Sequence, residues 1–345
     1  MWEHLHNYQE SPAPSSTTSH NHIKKITRIE GDLVTFAEPF RFDANVELLW
    51  QPKLKKHHFI EEVGIEKLRI TFPDVPYAGH SVEKGYNGIR FGGVINGWAR
   101  DITIKNADNN LRIKASSAYV TVKDVVFGGR GGHHGISAMT ASRILIENVT
   151  LNTTSGNKWI HGVSIAHTSA CVVCTNVTGD EILSLDFHGD APYENLYEKI
   201  QTAWDYQSGG GGPGPPQHQS WPHVGVRNTY WNLFGTAGKP QKDSNDQWGH
   251  IQTNLITNTT VADKMTTDAE WYEDMDQTTT PSSLYASQLT RRLTLPPDPL
   301  IGGSGTVFGE RRNWFERDPA RWQVADLSGT ICYQLYFGDY PNYGT

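Results

Sequence analysis

The sequence predicts an all-β chain: a right-handed, single-stranded parallel β-helix, a solenoid of stacked coils. Three observations carry that expectation. A turn residue followed by apolar–x–apolar–x recurs at Gly88-Ile89-Arg90-Phe91, Asn110-Leu111-Arg112-Ile113, Gly135-Ile136-Ser137-Ala138, Gly162-Val163-Ser164-Ile165 and Ser184-Leu185-Asp186-Phe187. The first apolar residues are 22, 25, 27 and 22 positions apart (89, 111, 136, 163, 185). A repeat of that length marks a solenoid, and alternation at period two marks its units as strands. The third observation is a second strand series, with Ile102/Ile104, Val120/Val122, Ile144/Ile146 and Val172/Cys174 followed two residues later by Asn106, Asp124, Asn148 and Asn176. Stacked amides at a coil corner can hydrogen-bond along the axis, so these positions are expected to form an inward-facing Asn ladder, with Asn232 as a fifth rung.

The elements follow in order. Residues 1–22 are a flexible lead-in, rich in Pro and Ser at Ser11-Pro12-Ala13-Pro14-Ser15-Ser16. Residues 23–62 hold a β-hairpin turning at Glu30-Gly31-Asp32 and the segment that feeds the first coil. Nothing before residue 23 supplies a cap for an open coil, which suggests a chain that begins partway through a larger protein. The β-helix is expected over 63–280, interrupted by an inserted loop at 191–224 that holds a short helix from Tyr193 to Ala203 and the run Gly209-Gly210-Gly211-Gly212. Residues 281–293, after Pro281, carry apolar residues at helical spacing and read as a terminal helix docked on the last coil. Residues 294–345 read as an irregular tail. Ladder positions account for the sequons at Asn148 and Asn176, which leaves Asn152 and Asn258 as the glycosylation candidates.

Composition narrows the function. Only 19% of residues are charged and the net charge is −7, which gives no basic footprint for nucleic acid. No apolar run of membrane-spanning length occurs and no signal peptide is visible, so no membrane partner is expected. Few charges, 33 glycines and 11 tryptophans lean toward an extracellular or cell-surface β-protein that handles carbohydrate. Cys171, Cys174 and Cys332 make no disulfide framework; Cys171 and Cys174, three apart in a strand, face opposite ways.

The chemistry gathers on the outer face of the first strand series. One column reads Arg90, Arg112, Ser137, Ser164, Asp186; the next reads Gly92, Lys114, Met139, Ala166, His188. His133-His134, His161, His167 and Asp190 lie at coil corners beside it. Such a polar face suits a polysaccharide lying along the coils. Arg90, Arg112 and Lys114 would take the carboxylates of an acidic sugar. His188 or His161 would remove the proton next to a uronate carboxyl, with Asp186 beside them. His134, His167 and Asp190 would line the substrate path, and Trp159, Trp204 and Trp221 would stack on sugar rings. The alternatives are a glycoside hydrolase using Asp186 and Asp190 as its carboxylate pair, or a non-catalytic glycan-binding module. No cofactor is expected: the histidines lack zinc spacing, and a Ca²⁺ site from Asp186 and Asp190 has no diagnostic spacing.

The coils with their Asn ladder resemble the pectate-lyase superfamily of right-handed β-helix proteins. More narrowly, Ile29-Glu30-Gly31-Asp32-Leu33-Val34-Thr35-Phe36, Gly162-Val163-Ser164, Asp186-Phe187-His188, Gly209 to Gly212 and Ser283-Leu284-Tyr285 to Leu293 are similar to uncharacterised, mostly bacterial secreted members. The likeness covers residues 23–293 and implies a β-helix fold and carbohydrate activity; in such relatives further sequence precedes the hairpin. His161-Gly162-Val163-Ser164-Ile165 also resembles the His-Gly segment of polygalacturonases, but Arg112 and Lys114 stand where that family's acidic motifs would precede it. The calcium-binding Asp cluster and catalytic Arg of pectate lyases have no recognisable counterpart.

Overall fold

The computed structural model describes residues 23–38, 56–114, 116–154, 159–183, 185–189, 191–203, 225–237, 254–258, 271–274 and 280–294. Its strands in chain order are β1 (Ile26–Glu30), β2 (Leu33–Phe36), β3 (Ile60–Glu61), β4 (Gly64–Thr71), β5 (Asn87–Gly92), β6 (Val94–Lys105), β7 (Asn109–Lys114), β8 (Ala118–Gly129) and β9 (His134–Met139). They continue with β10 (Ser142–Thr153), β11 (His161–Ala166), β12 (Ala170–Ile182), β13 (Leu185–His188), β14 (Leu196–Ala203), β15 (Thr229–Ala237), β16 (Asn254–Asn258) and β17 (Trp271–Asp274). One helix, α1 (Leu284–Thr294), closes the described chain.

Strands β5, β7, β9, β11 and β13 form a short parallel sheet, and β6, β8, β10, β12, β14, β15, β16 and β17 run through a long one, with β3 and β4 at its start. The result is a parallel β-solenoid. In the short sheet Ile89, Leu111, Ile136, Val163 and Leu185 lie in register, as the repeat spacing predicts. These residues, with Phe91, Ile113, Ile165 and Phe187, form one core with the long sheet. Burial of these stacked side chains, excluded from water by the facing long sheet and by the coils above and below, is the main stabilising contribution.

The coils turn at rows of left-handed residues. Lys67, Asp101, Asp124, Asn148, Asn176, Lys199 and Asn232 all have φ between 51° and 59° and share one row across the long sheet. Asn96, Tyr119, Arg143, Cys171, Glu194 and Arg227 make a second such row. Gly93, Ser116, Thr140, His167 and Gly189 make a third, just beyond the short sheet. A left-handed residue bends the strand and shifts which residues face inward. In β10 the inward pair Ile144/Ile146 is followed, across Asn148, by Val149/Leu151 rather than by even-numbered positions.

This bend corrects three expectations. The ladder does not face inward: Asp124 and Asn176 are exposed. Asn176 Nδ2 donates to Asn148 Oδ1 at 2.6 Å, and Asn148 Nδ2 to Asp124 Oδ1 at 2.8 Å. Asn106 is not a rung. Asp101 holds that row, Ile102 and Ile104 align with Val125 and Phe127, and Asn106 is buried, accepting from the Arg130 N–H at 3.0 Å. The segment Tyr193–Ala203 is no helix; Leu196–Ala203 is strand β14, so the solenoid continues past the point where the loop was expected to begin. Its inward residues Tyr197 and Ile200 flank left-handed Lys199, and three-residue spacing across a bend imitates a helix. The Gly-rich run and residues 295–345 of the expected tail lie outside the described residues, while Thr294 ends helix α1.

The hairpin forms as predicted, with Gly31 at φ 56° in its turn. Glu38, just after it, is pinned to the second row by Arg143 and Tyr119 and by Lys24 at 3.2 Å. Helix α1 docks on the outside of the long sheet, where, among the described residues, Leu284 packs with Val173, Leu196 and Trp231. Its N-terminus is capped by the fully buried Glu198 carboxylate, which accepts from the Leu284 and Tyr285 N–H groups at 2.7 and 3.0 Å.

Asn148→Ala removes both ladder bonds and puts a Cβ residue with no local polar support at φ 55°. It is expected to cost about 1–2 kcal/mol in urea unfolding. Asn148→Gly, which relieves the backbone, should cost clearly less; equal losses would show that the backbone conformation is immaterial.

Candidate functional site

The polar face of the short sheet is organised from below by one buried ion pair. Arg130 Nη2 meets Asp108 Oδ1 at 2.6 Å, with both side chains almost wholly excluded from water. Asp108 Oδ2 also accepts the Gly85 and Tyr86 N–H groups at 3.0 and 2.9 Å, and the Arg130 guanidinium lies 5.7 and 5.8 Å from the Tyr77 and Tyr86 ring centres. That pair therefore fixes the segment 72–86 against the coils. Gly132 allows the next step: a Cβ there would sit 2.6 Å from the Ala107 carbonyl. The chain passes close enough for His133 to donate its N–H to the Asp108 carbonyl at 2.8 Å.

Four imidazoles collect above this anchor. His134 and His161 lie in register on β9 and β11, His133 precedes them at the corner, and His80 reaches over from the fixed segment. The His133 ring centre is 4.5 Å from that of His80, 4.0 Å from that of His134 and 5.2 Å from that of His161. Two carboxylates orient them. His133 Nδ1 meets Glu83 Oε1 at 2.6 Å, and His161 Nδ1 meets Asp186 Oδ2 at 2.8 Å. Asp186 is held in turn by the Ser164 hydroxyl at 2.9 Å, while His134 Nδ1 lies 2.8 Å from Asn109 Oδ1. Burial, then the neighbouring His161, pushes His133 down to about 4. Burial, then the charge of His133, holds His134 well below the usual imidazole range.

Toward the N-terminal coils the same face is cationic. Arg90 and Arg112 are in register on β5 and β7, with Lys114 two residues beyond Arg112. Burial, then Arg90, lowers the Arg112 pKa; burial, then Arg112 and Arg90, lowers that of Lys114. Among the described residues none of the three forms an ion pair, and Arg112 Nη2 instead contacts Met139 Sδ at 3.0 Å. Buried Arg112 Nε and Ser137 Oγ have no hydrogen-bond partner among the described residues. An open hollow of about 510 Å³ lies beside Arg90, lined also by His57, Gly92, Gly93 and Ser116.

The structure thus brings together Arg90, Arg112, Lys114, Ser137, Ser164 and Asp186 on one face, in the register of the columns, with His161, expected at a coil corner, beside them. His134 is on that face but 4% exposed, beneath the other rings, so it supports them rather than lining a substrate path. His167 is a left-handed corner residue. Trp159 is 3% exposed within the core, which removes it as a sugar-stacking platform. His188 is in register with Ala166; its side chain, and Asp190, Trp204 and Trp221, lie outside the described residues. His80, Glu83 and Asn109 are contributions that sequence reading missed. His80 and Glu83 belong to no repeat; Asn109 carried a signal, being in register with His134.

The fold and face define a parallel β-solenoid with a polar, partly cationic face along its short sheet. No family model, curated protein or solved structure matches the chain. No helix among the described residues is long and apolar enough to cross a membrane.

Two outcomes are expected. Asp108→Ala leaves Arg130 buried and unpaired and should cost about 3–5 kcal/mol in denaturant unfolding; a change within error would contradict the anchoring role. The second concerns pH. His133 and His134 bind protons less readily folded than unfolded, so their neutral-state contribution is whole above about pH 6.5 and falls as the pH drops, through about 4 for His133. Thermal stability should decline from pH 7 to pH 5, and the decline should shrink in the His133→Asn/His134→Gln double variant. An unchanged slope would contradict the assignment.

Proposed function

We propose that this chain is a carbohydrate-active relative of the pectate-lyase superfamily, and that it cleaves an acidic, uronic-acid polysaccharide by β-elimination. The observation that carries the reading is the cluster Arg90, Arg112 and Lys114, without carboxylate partners among the described residues, on the face that holds the His161–Asp186–Ser164 chain. The three cations repel one another, a cost that a bound anion would relieve. Adjacent strands are roughly 4.8 Å apart, so the cations and the dyad lie within a few coils along one axis, as an extended polymer requires. A polymeric glycan is met outside the cell, so an extracellular or cell-surface location goes with this reading.

In the reaction, the guanidinium and ammonium groups bind a uronate carboxylate and stabilise the negative charge that develops on it. Asp186, fixed by Ser164, orients His161 through Nδ1, and the in-plane lone pair on Nε2 takes the C5 proton. The C5–H electron pair becomes the C4–C5 double bond as the C4–O bond breaks. The leaving oxygen is protonated by the imidazolium or by water, giving an unsaturated end and a new reducing end.

Incubation with a panel of uronic-acid polymers should produce the absorbance of the unsaturated sugar. Arg112→Ala should lower its rate roughly 10²-fold. A flat trace across the panel contradicts the lyase. Reducing ends without that absorbance would indicate a hydrolase, and retained binding without product a non-catalytic module.

A further inference from the structure

We infer that His80, His133 and His161 form a binding site for a divalent transition metal of the zinc class. One ring nitrogen from each residue lies within 4.8 Å of the others. A tetrahedral metal with nitrogen ligands at about 2.0–2.1 Å needs those nitrogens roughly 3.3 Å apart, a closure of about 1.5 Å at most. The pieces differ in their freedom to make it. His133 and His161 stand on neighbouring coil corners held by backbone pairing, His161 N–H donating to the His133 carbonyl at 2.8 Å. His80 is exposed on the segment 72–86, so it is the ligand that moves.

The surroundings are those of a metal site rather than of a casual cluster. The two half-buried imidazoles each present Nδ1 to a carboxylate, His133 to Glu83 and His161 to Asp186. A carboxylate on Nδ1 fixes the tautomer in which Nε2 is the coordinating nitrogen and raises its basicity toward a cation. These carboxylates come from separate elements, Glu83 from the segment that carries His80 and Asp186 from β13. Both are themselves held, Glu83 by the Tyr77 hydroxyl at 3.2 Å and Asp186 by Ser164. Two negative charges outside three neutral ligands also offset the charge of the ion. Imidazoles without thiolates favour zinc, cobalt, nickel or copper over calcium or magnesium. Three protein ligands leave a fourth position for water or a substrate oxygen. The sequence hid the site because its ligands are 53 and 28 residues apart, outside any contiguous zinc spacing.

The inference stands without the lyase reading. A metal on His161 occupies the imidazole that the elimination uses, so loading and elimination oppose each other, and the test reads binding directly. Tag-free full-length protein, stripped with chelator, is titrated with Co²⁺ and followed by visible absorption and calorimetry. The expected result is one equivalent bound with the visible bands of a low-coordinate Co²⁺ site, displaced by Zn²⁺. The chain has 15 histidines, so variants locate the ion. His80→Ala, exposed and removable without disturbing the coils, should weaken binding at least 10-fold, and Glu83→Gln by roughly 10–100-fold. His58→Ala, outside the cluster, should bind as the wild type does. No bands and no heat from folded wild-type protein, or wild-type affinity retained by both His80→Ala and the His80→Ala/His133→Ala variant shown folded by circular dichroism, would overturn the site. Absence of elimination by the metal-free protein, with Co²⁺ binding intact, would reject the lyase and leave the metal site standing.

Discussion

The structure depends on strict register between parallel coils. Each strand pairs residue for residue with the coil above and below, so a conformation needed at one corner is needed at the same place in every coil. The rows of left-handed residues are that constraint made visible. Asn and Asp tolerate the conformation best and occupy it at Asp101, Asp124, Asn148, Asn176 and Asn232. Lys67 and Lys199 adopt it without that advantage. A coil lacking the favoured residue still bends because the strand it pairs with does, on one side for Lys67 and on both for Lys199.

Register also builds the functional face. A groove made by one loop needs its groups brought together by tertiary chance; here they line up because Arg90, Arg112, Ser137, Ser164 and Asp186 hold equivalent positions in successive coils. The solenoid does not supply everything. His80 and Glu83 come from the segment outside the repeat, which the buried Asp108–Arg130 pair ties to the coils through backbone amides. A pair of that kind contributes little to net stability on its own, but losing one partner strands the other charge, so it specifies the segment's position strongly.

The short sheet was fully legible in the sequence, because its strands keep period two between bends and repeat at nearly constant spacing. The long sheet was legible only in part. Its strands run through bends, where inward residues fall three apart, as at Ile146/Val149, Cys174/Val177 and Tyr197/Ile200. That spacing made β14 look helical and misaligned the first rung by five residues, from Asp101 to Asn106. In the site, the columns foretold Arg112, Ser164 and Asp186, which lie in strands. Solvent exposure did not follow from position alone, since Trp159 and His134 sit where the coil closes over them. Contacts across long sequence separation, such as those of His80 and His133, leave no periodic trace.

A crystal structure with a bound uronate oligosaccharide tests the proposed use of the face most directly. The sugar should lie along the short sheet with carboxylates on Arg90, Arg112 or Lys114 and a ring proton facing His161. A sugar bound elsewhere, with those cations left without an anion, would contradict it.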